Sequence, residues 1–296
     1  MELLLSILTG IAIAATPLIF AAIGELVVEK SGVLNLGVEG MMIVGAIAGF
    51  ATTVATGSYS LGMLAAMVAG IAMAVLFGGL TQILMSNQVA TGLALTLFGL
   101  GLSALLGQPY SGKTTGTFPK ITLLGSASID IMVLIAVAMV FLVTWFLQAT
   151  RSGLVLRAVG ENHDAAHAIG TSVVGVRMAA LAFGGAMAGL GGAYLSLVQT
   201  PFWVEKMTAG RGWIALALVV FAAWRPSRVL AGAYLFGGIS ILQLHAQGAG
   251  LKIDAQVLSM LPYLATIVVL VFISRDATRL KLNAPACLGR TFAAMH

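Results

Sequence analysis

Residues 130–150, DIMVLIAVAMVFLVTWFLQAT, place one aspartate ahead of twenty residues that carry no charge. A helix needs about 20 apolar residues to cross the ~30 Å hydrocarbon core of a bilayer, so this run is long enough to span one. Comparable runs between polar breaks fall near 4–24, 38–57, 60–85, 89–106, 177–199, 212–223, 229–247 and 256–274. Composition agrees: 59% of the 296 residues are hydrophobic and 8% are charged, with a mean hydropathy of +1.04. Soluble domains carry about 25% charged residues. Most of this chain therefore has lipid as its solvent. The sequence predicts an all-α polytopic membrane protein of about nine transmembrane helices, roughly eight to ten, forming a single domain over 1–296. The run 212–223 is too short to cross comfortably and reads as a half-helix or re-entrant piece. The first run lacks a basic leader and holds Pro17, so it is expected to stay in place rather than be cleaved as a signal peptide.

Thirty-six glycines suit close helix packing in a membrane, where small residues let backbones approach. The single cysteine, Cys287, excludes an internal disulfide framework and reads as a reduced, structurally idle thiol. The net charge of +5 does not indicate nucleic acid, because the basic residues are scattered at the ends of apolar runs. They do set an orientation. One set of loops holds Lys30, Arg151, Arg157, Arg177, Arg225, Arg228, Arg275, Arg279, Lys281 and Arg290; the other holds Lys113, Lys120, Lys206, Arg211 and Lys252. The excess of basic residues predicts that the first set is cytoplasmic, with the N-terminus outside and the C-terminus inside.

GQPYSGKTT, Gly107–Thr115, matches the phosphate-loop pattern G-x-x-x-x-G-K-[ST] through Gly107, Gly112, Lys113 and Thr114. A true phosphate loop follows a strand and opens a helix. Here an apolar span precedes, Gly116 and Pro119 oppose a following helix, and the loop falls on the outer side. The match is expected to be a decoy, leaving a flexible external loop. No zinc-protease or serine-protease motif is present. His163 and His167 stand four apart but lack a third ligand, so no metal site is expected.

The longest polar excursion on the inner side is Arg151–Met178, RSGLVLRAVGENHDAAHAIGTSVVGVRM. It reads as an amphipathic stretch, a turn at GENHD, a short helix and re-entry. Asn162 or Asp164 can cap that helix, and Gly170 can supply its left-handed C-terminal residue. Small residues (Ala165, Ala166, Ala168) beside a few polar ones suit insertion into a groove on another protein.

That loop, with RAVGENHDAAHAIG at Arg157–Gly170, resembles the cytoplasmic coupling loop of bacterial ABC-importer permeases. GELVVEKSGVLNLGVEGMMIVGA, Gly24–Ala46, is similar to the signature of the branched-chain amino acid/ribose permease superfamily. Its form most resembles the nucleoside and simple-sugar permeases that use a basic-membrane-protein type binding lipoprotein. Asn87–Gly107 and Gly210–Gly238 extend the match over most of the chain. The resemblance implies a permease subunit of the bacterial cytoplasmic (inner) membrane, paired with a second, related permease, most simply as a heterodimer. A separate cytoplasmic ATPase would bind the ATP and Mg, so this chain would hold no cofactor of its own. An extracytoplasmic binding protein would deliver the solute. Within a coupling loop at 151–177, Arg157, Glu161, Asn162, Asp164, Ala165, Ala166 and Gly170 would seat the ATPase; a cytoplasmic tail covers 275–296. The family loop usually has proline where this chain has His163.

For the solute path, Asn35, Glu39, Asn87, Gln88 and Thr91 are polar groups at or inside span ends, where a polar residue usually faces a cavity or partner. SGVLNLGVEG could break a helix and expose free backbone groups. Phe98 could stack on a base. Against this, Glu39 could simply favour a helix N-terminus or pair with a coupling-loop arginine, and Glu25 and Glu29 read as solvated at the interface. The function expected is inward movement of nucleosides or related ribose-containing solutes. The alternatives are a simple-sugar importer of the same superfamily or, in another class, an ion-driven secondary transporter. An intramembrane enzyme lacks any nucleophile–base constellation.

Overall fold

The computed structural model describes residues 2–124, 127–248 and 283–293, with scattered residues between 257 and 271. Among the described residues the helices are α1 (Glu2–Lys30), α2 (Val38–Thr56), α3 (Tyr59–Gly78), α4 (Gln88–Gly107), α5 (Ile131–Ala149), α6 (Arg151–Glu161), α7 (His163–Ala168), α8 (Val173–Tyr194), α9 (Arg211–Phe221) and α10 (Pro226–Gly248). Wider π turns prolong α3 over Gly79–Ile83 and α8 over Leu195–Gln199. A hairpin of β1 (Lys120–Leu124) and β2 (Ala127–Asp130) pairs Lys120 with Asp130 and Ile121 with Ile129. Among the described residues seven helices are long and apolar enough to cross a membrane. The expected ninth span, 256–274, lies largely outside the described residues. The protein is an all-α polytopic membrane protein.

Glycine dictates the packing. α8 runs through the centre against α1, α2 and α3. A Cβ on Gly70 of α3 would stand 2.0 Å from the carbonyl oxygen of Gly185 in α8, and one on Gly45 of α2 would stand 2.4 Å from Gly189 Cα. Only glycine lets these backbones touch, which is how helices gain dispersion contact in lipid. The outer helices α4, α5 and α10 instead leave Leu97, Phe141 and Trp145 largely exposed, as a lipid-facing surface requires.

The two ends differ. At one end lie the hairpin and the Gly107–Thr115 loop. That loop is pinned rather than flexible: Thr114 bridges to Phe202, the Thr115 amide donates to the Pro201 carbonyl (2.9 Å), and the Tyr59 hydroxyl donates to the Gly116 carbonyl. A helix precedes it and a strand, not a helix, follows. At the other end lie α6, α7 and residues 283–293.

Candidate functional site

The first constellation runs from the end of α1 in toward the middle of the bundle. α1 ends at Lys30, and the chain then doubles back without helix through Ser31–Gly37, so that α2 begins beside the middle of α4. A Cβ on Gly40 would touch the Leu95 oxygen at 2.7 Å, which fixes that level. The α2 entry is held by a relay. The Glu25 carboxylate accepts from the Asn35 amide (3.2 Å) and Asn35 Nδ2 (3.3 Å), and Asn35 Oδ1 accepts from the Gly37 amide (3.0 Å). Glu29 accepts from Trp224 Nε1. Both acids are 1% exposed, so the expected interfacial solvation does not occur; the helix end that carries them is roofed by the chain folding back.

α9 meets α2 head-on. Its 11 residues match the half-helix reading, because the chain dips from the hairpin end to mid-height before α9 starts. Glu39, in the first turn of α2, closes that start. Oε1 accepts from the Gly210 amide (2.9 Å) and the Thr208 hydroxyl, and Oε2 accepts from the Gly212 amide (2.6 Å). A carboxylate at the positive end of a helix dipole, with free amides pointing at it, is a strongly favoured arrangement. The helix it serves is α9, far along the chain, and no arginine of the α6–α7 region pairs with it. Gly212 permits the approach, since a Cβ there would stand 2.6 Å from Glu39 Cα.

The other path residues divide in two. Gln88 is buried; its Oε1 accepts from the Leu34 amide (2.8 Å) and its Nε2 reaches the Arg290 carbonyl (3.5 Å). Asn35, Glu39 and Gln88 thus spend their hydrogen bonds inside the protein. Asn87 caps α4 through the Ala90 amide (2.9 Å), and Thr91 pairs with the Ser86 hydroxyl (2.8 Å). With Phe98, 52% exposed, they follow one open stripe of α4.

The second constellation is the α7 end. Asn162, not Asp164, caps α7: its backbone is extended (φ −150°, ψ 94°) and its Oδ1 accepts from the Ala165 amide at 3.0 Å. Gly170 closes the helix with φ +87°. His163 at the first helical position keeps the cap that proline would allow. It adds a contact proline cannot make, because its Nδ1 lies 3.2 Å from Arg177 Nη2.

Arg177 is fully buried near the start of α8. Its Nε donates to the Ser31 carbonyl (3.2 Å), and Nη1 donates to Gln82 Oε1 (3.1 Å) and the Arg290 carbonyl (3.1 Å). Among the described residues no carboxylate bonds it; oriented dipoles hold the charge. The segment 283–293 completes this end. The Cys287 amide donates to the Gly160 carbonyl (2.9 Å), Gly289 to Gly32 (3.0 Å), and Phe292 stands edge-on to His163 and His167. Cys287 is buried with its thiol directed at the Glu161 carbonyl (3.4 Å), so it is a packed member of this junction rather than an idle tail residue.

Beneath α7, Val159, Ala166, Val173 and Phe292 form a small separate core. Ala166 therefore faces inward, not toward a partner. The exposed surface is Glu161, Asn162, Asp164, Ala165, His167, Ala168, Ile169 and Gly170. Ile169 is 81% exposed and escaped the sequence reading; a lone isoleucine in a short loop carries no signal until its neighbours are placed.

Burial and the Arg177 guanidinium hold the His163 imidazole below its ordinary range, against a smaller opposing pull from Asp164. The unfolded loop then binds the proton more tightly, so its contribution is intact above pH ~6.5 and is lost as the pH falls through the lowered folded value. The protection of the amides of residues 160–170, taken as the ratio of intrinsic to observed exchange rate at each pH, should fall as the pH is lowered from about 7.5 to about 5.5, across and below the range of free histidine. His163→Asn should flatten that dependence; an unchanged profile would remove the Arg177–His163 contact from the account.

A half-length α9 whose buried start is closed by Glu39 of the full-length α2, an apolar outer surface and a capped helix displayed at one end fit a multi-pass membrane protein with a moving core. A profile of the family described as branched-chain amino acid transport system, permease component, matches residues 7–273. TsgC13 of Haloferax volcanii, for which a glucose ABC transporter permease role is proposed, is 40% identical over 94% of each chain. The guanosine ABC transporter permease protein NupQ of Bacillus subtilis is 30% identical over 93% of this chain and 94% of its own. The nucleoside ABC transporter permease protein NupC of Lactococcus lactis subsp. cremoris is 31% identical over 89% and 90%. The chain belongs to this permease family, and it is an ABC transporter permease subunit.

Proposed function

We propose that the subunit moves a neutral hydroxylated solute inward, with the α7 surface seated in a separate ATPase and the open stripe of α4 (Asn87, Thr91, Phe98) facing the solute path beside a second, related permease. The observation that carries this reading is the α7 end itself: a capped helix with small residues and Ile169 exposed, tied through His163 and Arg177 to the α1–α2 return. An ATPase that moved α7 would move the α2 entry with it, which is the two-state element that transport requires. The basic loops support a cytoplasmic α7 end and an N-terminus outside. A binding protein would deliver solute at the hairpin end. The docking set is Glu161, Asn162, Asp164, Ala165 and Gly170; Arg157 lines a cavity between α5 and the start of α10. ATP and Mg belong to the partner. In this reading Gly107–Thr115 is not a nucleotide loop: the amides of Ser111 and Lys113 turn back to Gln108 and Tyr110, that of Thr115 donates to Pro201, and a strand rather than a helix follows.

For the solute, Glu39 already neutralises the α9 N-terminus, so an anion gains nothing there. The nucleoside permeases support a nucleoside; the higher identity to the glucose relative supports a simple sugar equally well. Uptake of labelled nucleosides and hexoses by cells with and without the subunit separates them. Loss confined to an amino acid would overturn both. Glu161→Arg should lower uptake about tenfold while ATP hydrolysis continues, equivalent to 1–2 kcal/mol of lost coupling. Unchanged uptake in that variant would remove the docking role.

A further inference from the structure

At the level where α1 and α5 end and α10 begins, a cavity of about 450 Å³ is lined by Lys30, Arg157 and Arg225 together with Gln148, Trp224 and Ser227. Three cations converge on one hollow. Lys30 Nζ donates to the Asn283 carbonyl at 2.8 Å. Arg157 Nε is buried with no hydrogen-bond partner among the described residues. α10 opens into the same hollow with Pro226 and Ser227, adding the positive end of its dipole. The charges acting on Lys30 are those of Glu161, Arg157, Arg225 and Glu29. Both acids pull against the repulsion of the two arginines, but neither lines the hollow, and Glu29 is already bonded to Trp224 Nε1.

We propose that this cavity binds a phosphate group, supplied by an anionic phospholipid of the leaflet at the α7 end. Position argues for the lipid source. The cavity opens between α5 and α10, two perimeter helices that are about a third buried or less along their apolar stretches. It sits where those spans stop, at the level of headgroups, and basic pockets between helices at that level recognise anionic lipid. Its wall mixes these cations with Leu147, Trp224 and Pro226, which suits a charged headgroup on an apolar stem. A bound phosphate would satisfy Arg157 Nε and relieve the repulsion among the three cations. It would also fasten α6, and so the α7 platform, to α5 and α10.

The test takes the whole transporter, this chain with its partner subunits, in phosphatidylcholine nanodiscs doped with phosphatidylglycerol. Lipid retained after detergent extraction is counted by mass spectrometry. Phosphatidylglycerol should be enriched over its bulk share, and Arg157→Gln and Arg225→Gln should each cut that enrichment roughly fivefold. Arg225→Lys should keep most of it, which separates loss of the site from loss of the fold. Inorganic phosphate is titrated in parallel. Phosphate binding that depends on Arg157 and Arg225, without lipid enrichment, supports the site with a soluble source. Equal retention of both lipids by wild type and variants, with no phosphate binding, overturns it. Variants that shed the ATPase while keeping their lipid also overturn it, and make the cluster a protein contact.

Discussion

Arg177→Met should leave the spans inserted and the α7 end loose, lowering stability by about 3–5 kcal/mol, the scale for removing one member of a buried charged network. The methionine fills similar volume but strands Gln82, His163 and the Ser31 carbonyl away from water, while the Arg290 carbonyl keeps only Gln88 Nε2. Each stranded group costs about 1–3 kcal/mol unless the structure relaxes. The consequence reaches beyond stability, because Arg177 is where α7, the α1–α2 return, the π turn after α3 and the 283–293 segment meet. ATP hydrolysed per solute moved should rise even at temperatures where the variant remains folded. Arg177→Lys keeps the charge but not the planar fork, so it should fall between. Thermal unfolding in detergent together with the ATP-to-solute ratio decides the matter. Wild-type values for both in Arg177→Met would dissolve the proposed link.

Glu39→Ala should be at least as costly, about 3–5 kcal/mol, because it orphans two amides and a hydroxyl at the start of α9. In the bundle interior no bulk water replaces the lost acceptor. Glu39→Gln should cost roughly half as much, since its oxygen still accepts while its amide group opposes one of the donors. The purified yield and melting temperature of the two variants should therefore rank glutamine above alanine. A melting curve for Glu39→Ala that overlays the parent would mean that α9 does not depend on this cap.

How much of this was legible in the chain follows from what each feature is made of. Spans are written in length and composition, so seven of them, and the shortness of α9, could be read directly. The cap at Asn162 and the left-handed Gly170 are local, and the sequence offered both. The partner of Glu39 is not local. It consists of backbone amides of Gly210 and Gly212, and an amide bears no mark in a sequence. Arg177 counted only as a loop charge for topology, since its burial exists only once four separate segments converge. Ala166 looks the same to a reader whether it faces a partner or a core. Glu25 and Glu29 misled for a related reason: a helix end is normally wet, and nothing in their spacing announces that the following seven residues fold back over them.

The crossing of residues 283–293 beneath α7 has a consequence for how the protein is made. Lys30 bonds to Asn283, a partner 253 positions later, and Gly32 waits for Gly289. These residues leave the ribosome after α1 to α10 have all been synthesised, so the spans can enter the bilayer long before the α7 end can close. Contacts this distant in sequence form slowly and late. A prematurely terminated chain would thus sit in the membrane with its helices in place and the floor beneath α7 missing. The α7 end therefore closes only after translation has passed that crossing, and its bracing by 283–293 is among the last contacts of the described residues to form.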